Sequence, residues 1–464
     1  MLLIVVAGCT NANVELNRAD LRLEDRRTNQ TRAAVFARVR PLGIWSAAPT
    51  TQDVAVLPTS APVRSPGQSL PFDRDGCFIG LALSGGGSRS ANFSAACMFQ
   101  FERLGLLQKV DYISSVSGGS LTAAYYCLNG ADWNPSAVQR KLTYPFASDL
   151  IAQTFFMPWN WIALMATDWD RSDLLAGSFR DVLFNRGGRP LTYGDLRPDR
   201  PRLLINATDL QSGRRFVFSN ESFDQLNSDL SRYPIAYAVT SSAAVPVVLH
   251  PVTLRDYSTR FAQYRHLVDG GVSDNLGIQT LLETYAAQLA TARGRRLPDP
   301  YPNGAVFIVV DAHTQFDAEI SSKGDIGLIE SLRIALGLTS TSLLNRVSSA
   351  TLADLIVRSS PDEVTASQIR HQIDQLNDNG YLDMRDRSGH EVRVVYLSLA
   401  QVNDLPDLPF VGFSETLNSI STYFNISDRE AYHLYQAADL LVREKFEVRL
   451  RAIVADLDRD AASR

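Results

Sequence analysis

Three short tracts of this 464-residue chain combine residue types that can do chemistry. Gly85-Gly86-Gly87-Ser88-Arg89 follows an apolar run and opens a helix-like stretch. Consecutive glycines let backbone N–H groups turn toward one point, and a helix N-terminus adds positive potential. Such a loop can hold a phosphate or a developing oxyanion, although a plain strand-to-helix turn has the same composition. It lacks the Gly-Lys-Ser/Thr of a P-loop and does not read Gly-x-Gly-x-x-Gly. Ser115-Val116-Ser117-Gly118-Gly119-Ser120 lies between another strand and helix. A nucleophile elbow needs small residues two before and two after its serine, because the turn is tight and the backbones crowd. Ser115 and Gly119 meet that need around Ser117. Asp269-Gly270-Gly271 follows a third apolar run, which puts an acid where open α/β sheets place their sites. Each tract alone also reads as a simple turn.

The elements that must position these tracts are legible in the apolar pattern. Strands are expected over 77–83, 110–116, 202–207, 216–219, 266–268, 305–310 and 392–397. The stretch from Gly87 reads as a helix that Gly105 stops, and further helices are expected through Cys127 and over 235–245, 277–292, 326–336 and 363–376. Ser427-Asp428-Arg429-Glu430 fits a capping box before a long amphipathic helix. Strands alternating with helices point to an α/β fold, a mostly parallel central sheet sandwiched by helices. Residues 15–40 are Arg-rich and helix-like, and six prolines in 41–75 read as an extended linker or strap.

Composition narrows the function classes. The chain is 45% hydrophobic and 20% charged, which suits a folded globular protein. Its net charge is -5, so nucleic acid is not an expected partner. Six histidines without metal-ligand spacing argue against zinc, and four cysteines without a Cys-x-x-Cys pair argue against a disulfide scaffold. No run of about 18 strongly apolar residues reads as a membrane span. The uncharged N-terminus is too short in its apolar run for a secretory core and lacks a positive flank. Even so, Val6-Ala7-Gly8-Cys9 resembles a bacterial lipoprotein box, so Cys9 is the expected lipidation site and the cell envelope the expected location. Thr10 in place of Asp favours the outer membrane; the alternative is a cytoplasmic protein.

Taken together, GGGSR, SVSGG and DGG in this order resemble the patatin-like phospholipase family. INATDLQSGRRFVF (205–218), YPIAYAVTSSAAVPVV (233–248) and LVDGGVSDNLGI (267–278) support the resemblance, which covers about 77–315. It implies a serine acyl hydrolase that cleaves lipid acyl esters without a cofactor. Ser117 would be the nucleophile and Asp269 its base. The amides of Gly86, Gly87 and Ser88 would form the oxyanion hole, with Gly85, Arg89, Ser115, Gly118, Gly119, Gly270 and Gly271 supporting them. Ser115 departs from the family pattern, where glycine is usual. The implied organisation is a lipoprotein signal segment (1–9), a tether and Pro-rich linker (10–75), the catalytic domain (76–400) and a C-terminal helical extension packed on it (401–464). A lipid or phospholipid at a membrane surface is the expected partner, and no obligate protein partner is readable.

Two rivals stand beside this reading. Ser117, Asp269 and His313 follow the chain order of an α/β-hydrolase triad, which would suit an esterase acting on neutral lipids. A catalytically silent lipid- or protein-binding module would keep the same tracts. The uncharged stretch 150–167, with Phe155, Phe156, Met157, Trp159 and Trp161, reads either as core or as an interfacial lid.

Overall fold

A computed structural model describes residues 17, 75–130, 132–156, 170–246, 248–259, 263–314, 350–357 and 364–463. Cys9, nearly all of 15–74, the end of the 150–167 stretch and the helix expected over 326–336 lie outside these residues.

The core strand β1 (Phe78–Leu83) is buried on both faces, as expected of a strand covered by helices on each side. Its alternation sends Ile79, Leu81 and Leu83 into one apolar cluster and Phe78 and Ala82 into another. Parallel neighbours extend the sheet: β2 (Tyr112–Val116) and then β3 (Arg202–Asp209) on one side, β7 (Ala305–Asp311) and then β9 (Glu391–Ser398) on the other. Antiparallel strands finish both ends. β4 (Arg215–Phe218) and β6 (Gln263–Asp269) pair with β3, β5 (Val252–Asp256) pairs with β6, and β8 (Tyr381–Arg385) pairs with β9. The expected mostly parallel α/β sheet is therefore present, with nine strands among the described residues.

One face is covered by α1 (Gly87–Arg103), α2 (Gly118–Leu128), α3 (Pro135–Leu142), α4 (Phe146–Phe156), α5 (Arg171–Val182) and α6 (Ile235–Ser242). The other carries α7 (Ile278–Gly294), α8 (Ala366–Asn379) and a helical turn over 350–357. Gly80 lets α7 approach, since a Cβ there would lie 2.9 Å from the Leu281 Cδ1. The C-terminal part contains α9 (Phe413–Ser419), α10 (Asp428–Leu441) and α11 (Glu447–Ala462), with a π-helical turn over Val442–Phe446. Ala431, Leu434, Ala437, Ala438 and Leu441 of α10 belong to the same cluster as the sheet's inner face. Lys109–Asp458 and Arg393–Asp456 ion pairs tie α11 to the sheet layer. The expected capping box is formed, Ser427 accepting from the Glu430 amide and Glu430 from the Ser427 amide.

Several elements differ from the sequence reading. The helix expected over 235–245 stops at Ser242. Pro246 disfavours helical geometry at Val245, so 243–246 turn instead. β5 and β8 were not apparent in the sequence. β8 is short and mostly polar, and it exists because β9 offers an unpaired edge. Among the described residues no helix is long and apolar enough to cross a membrane, and Cys77, Cys97 and Cys127 are free and buried.

Candidate active site

The pairing around β3 brings the serine and the acid together. β4 occupies one edge of β3 from Ile205 to Thr208. On the other edge, β2 runs parallel up to Val116 opposite Asn206, and β6 arrives antiparallel with Asp269 opposite Ala207. Two strands thus end head to head on one edge, and the residues at their tips are Ser117 and Asp269.

Ser117 sits at the N-cap of α2 with φ 48° and ψ -121°, a conformation rare for any residue but glycine. An N-cap serine usually spends its oxygen on its own helix, but here no such bond forms. The side chain lies beside the Asp269 carboxylate instead and lowers its pKa. That carboxylate also accepts the Gly271 amide at 2.7 Å. Burial outweighs the Gly271 bond and the nearby Ser117 and pushes the Asp269 carboxyl up to about 6.

The glycine loop lies against the serine turn. Gly86 (φ 130°) and Gly87 (φ 52°) adopt backbone that L side chains avoid. A Cβ on Gly118 would fall 1.9 Å from the Gly87 carbonyl oxygen, so the starts of α1 and α2 touch. Neither helix has a side-chain cap or an acidic residue in its first turn. Their positive ends therefore converge unneutralised on one place, with the first-turn amides unused by the helix itself. The Asn275 carbonyl accepts the Gly85 amide at 2.9 Å and ties this loop to the segment after Asp269. Ser88 is buried in the first turn, and Arg89 lies under it, donating to the Ile420 carbonyl at 3.0 Å and to the Thr314 hydroxyl at 3.3 Å. Burial lowers the Arg89 guanidinium to about 10.

Gly119 is equally constrained, its Cβ position lying 2.7 Å from the Ser84 carbonyl oxygen. Gly270 packs on the Asn206 carbonyl, 2.4 Å from its Cβ position, and Gly271 supplies the amide to Asp269. Ser115 remains within β2, its carbonyl accepting from the Asn206 side chain at 2.9 Å. His313 is not among the groups that act on Asp269: it lies beside Asp311 and Arg89 and lines a cavity with Tyr396, Ser398 and Gln401. The groups that set Asp269 are burial, Gly271 and Ser117.

Sequence reading missed Asn206, Ser242 and Asn275. Asn206 bonds Ser114, Ser115 and Thr280 from inside the sheet. A polar side chain between the apolar Ile205 and Ala207, in a buried strand, is the one signal that could have exposed it. A hydroxyl beside a buried carboxylate, facing two helix N-termini, can attack a carbonyl carbon and leave negative charge where those termini stabilise it.

No curated protein sequence matches the chain. Among solved structures, human GIVD cytosolic phospholipase A2 is similar with 12% identity and a TM-score of 0.47, over 84% of this chain and 63% of that one. VipD from Legionella pneumophila shares 14% identity with a TM-score of 0.28, over 78% and 66%. The chain thus spans less than two thirds of the human enzyme it resembles. Residues 81–282 match the family model Patatin, described as patatin-like phospholipase.

Proposed function

We propose that this protein is a serine acyl hydrolase of the phospholipase A or lysophospholipase type, cleaving fatty-acyl esters of lipids. The observation that carries the proposal is the hydroxyl of Ser117, held at a positive φ beside a buried Asp269 and two uncapped helix starts. Ser117 Oγ attacks the ester carbonyl carbon while Asp269 accepts its proton. The tetrahedral oxyanion is held by the amides of Gly86, Gly87 and Ser88. Collapse expels the lipid alcohol, which takes the proton from Asp269, and leaves an acyl group on Ser117. Water then attacks this ester, gives its proton to Asp269, and releases the fatty acid as the serine is reprotonated. A carboxyl raised to about 6 is a better base than a solvated one.

The test is covalent labelling with a fluorophosphonate, together with fatty-acid release from a panel of phospholipids, lysophospholipids and neutral glycerides. Labelling at Ser117 that Ser117→Ala abolishes, with acyl release from phospholipid, supports the proposal. A folded protein that neither labels nor releases fatty acid is a binding module. Anchoring at the cell envelope through Cys9 belongs to the same proposal and rests on the small-residue box before it. Incorporation of a palmitate analogue should be lost in Cys9→Ala; label that persists in that variant would refute it.

A further inference from the structure

We propose that the turn closing α6 is a two-point clamp on the site, in which the Ser242 hydroxyl is a positioning residue for Ser117. The inference rests on the acyl-hydrolase reading and deepens it. Ser117 heads α2, so its own amide has no carbonyl within that helix to bond. Ser242 Oγ accepts this N–H at 2.8 Å. The same oxygen lies 2.6 Å from the Asn206 carbonyl and 3.1 Å from Ser120 Oγ. A carbonyl can only accept, so the Ser242 proton goes to Asn206. Ser120 must then be the donor in the remaining contact, and the Ser242 hydroxyl is saturated with one bond given and two received.

Two residues further on, the Ala244 carbonyl accepts the Asp269 amide at 2.9 Å. One short segment therefore grips the backbone amides of both the serine and the acid, which lie at the ends of different strands. Asn206, the acceptor of the Ser242 proton, is also the surface on which Gly270 packs. The positive φ of Ser117 is of the kind that persists only where the surroundings over-determine it. Ser242 supplies that restraint from 125 residues away in the chain. Removing its hydroxyl frees the Ser117 turn to relax and carries Oγ away from Asp269.

The experiment measures fluorophosphonate labelling rate and ester kcat and KM for wild type, Ser242→Ala, Ser242→Thr and Ser242→Cys, each with a melting curve. The expected result for Ser242→Ala is a fall in kcat and in labelling rate of about tenfold or more, with KM within about threefold of wild type. Ser242→Thr, which retains the hydroxyl, should recover most of the loss. Should Ser242→Ala not fold, Ser242→Cys replaces it, its weaker thiol giving a smaller fall in the same two quantities. Folded Ser242→Ala, or folded Ser242→Cys in its place, that labels and turns over at the wild-type rate overturns the clamp. So does a loss of activity that only follows the folded fraction. A folded wild type that neither labels nor hydrolyses overturns the hydrolase reading, and the clamp with it.

Discussion

The raised carboxyl of Asp269 has opposite consequences for turnover and for folding. As a base it must be ionised, so kcat/KM should fall as the pH drops through about 6, well above an ordinary aspartate. Asp269→Asn should abolish turnover, as should Ser117→Ala, and the double variant should be no worse than either single one. His313→Ala should retain most activity, since His313 faces Asp311 and Arg89; its collapse in a folded variant would revive the triad. For folding, a carboxyl raised in the native state favours its protonated form there. Its stabilising contribution is complete below the unfolded value near 3.8 and is lost as the pH rises through about 6. Asp269→Asn should therefore be more resistant to denaturant than wild type at pH 8, with the difference vanishing near pH 4. Urea unfolding at the two pH values measures this.

At the scale of elements, the site depends on how closely two helix starts approach. Gly118 and Gly87 touch through backbone atoms, which cannot swing aside as a flexible side chain can. Gly118→Ala should force the glycine loop away from Ser117 and lower ester turnover by on the order of a hundredfold, in line with losses seen when oxyanion donors are displaced. Gly177 provides the contrast. It lies within α5, and nothing occupies the space around its Cβ position within 4 Å. Gly177→Ala should stabilise the protein by about 0.5–1 kcal/mol and leave kcat unchanged. Turnover and melting temperature measured on both variants separate the two effects. The sheet brings Ser117 and Asp269 together by strand pairing, through the shared edge of β3, so the loops after β2 and β6 need no length to meet.

Over the whole molecule, the C-terminal residues are part of what closes the site. The Thr422 carbonyl oxygen lies 1.5 Å from the Cβ position of Gly87, and Ile420 accepts from Arg89. The Phe424 carbonyl accepts the Ala147 amide at 2.8 Å, and its ring meets Phe179 edge-on. Residues 420–424 thus bridge the glycine loop and α4, and Ser117 and Asp269 are only 5% and 7% exposed. Arg89→Met should release one end of this bridge and speed proteolytic cutting within 420–426; an unchanged digestion pattern would contradict that. A chain ending at residue 400 would expose the surfaces that α10 and α11 cover on α1 and the sheet. It should be insoluble or lack a cooperative melting transition, whereas a folded, active 75–400 fragment would show the extension to be dispensable.

What the sequence by itself determined were the features whose cause is local. Gly86 and Gly87 are glycine because their φ values demand it, and Gly118 because its neighbour is backbone. Each requirement is written in residue type at its own position, and so the three tracts could be read in a row. Apolar runs such as 305–310 and 392–397 likewise announced buried strands, and Ser427 with Glu430 announced a helix start. Only the tertiary structure decided which polar residues stand behind the tracts. Ser242, Asn206 and Asn275 carry no periodicity, and a buried hydroxyl or amide looks like a surface one until its partner is known. Their partners are brought by strand order and helix packing from distant parts of the chain, as from Ser117 to Ser242. The closing of the site by residues 420–424 is of the same kind: it depends on where α9 and α10 pack, and no property of those five residues encodes it.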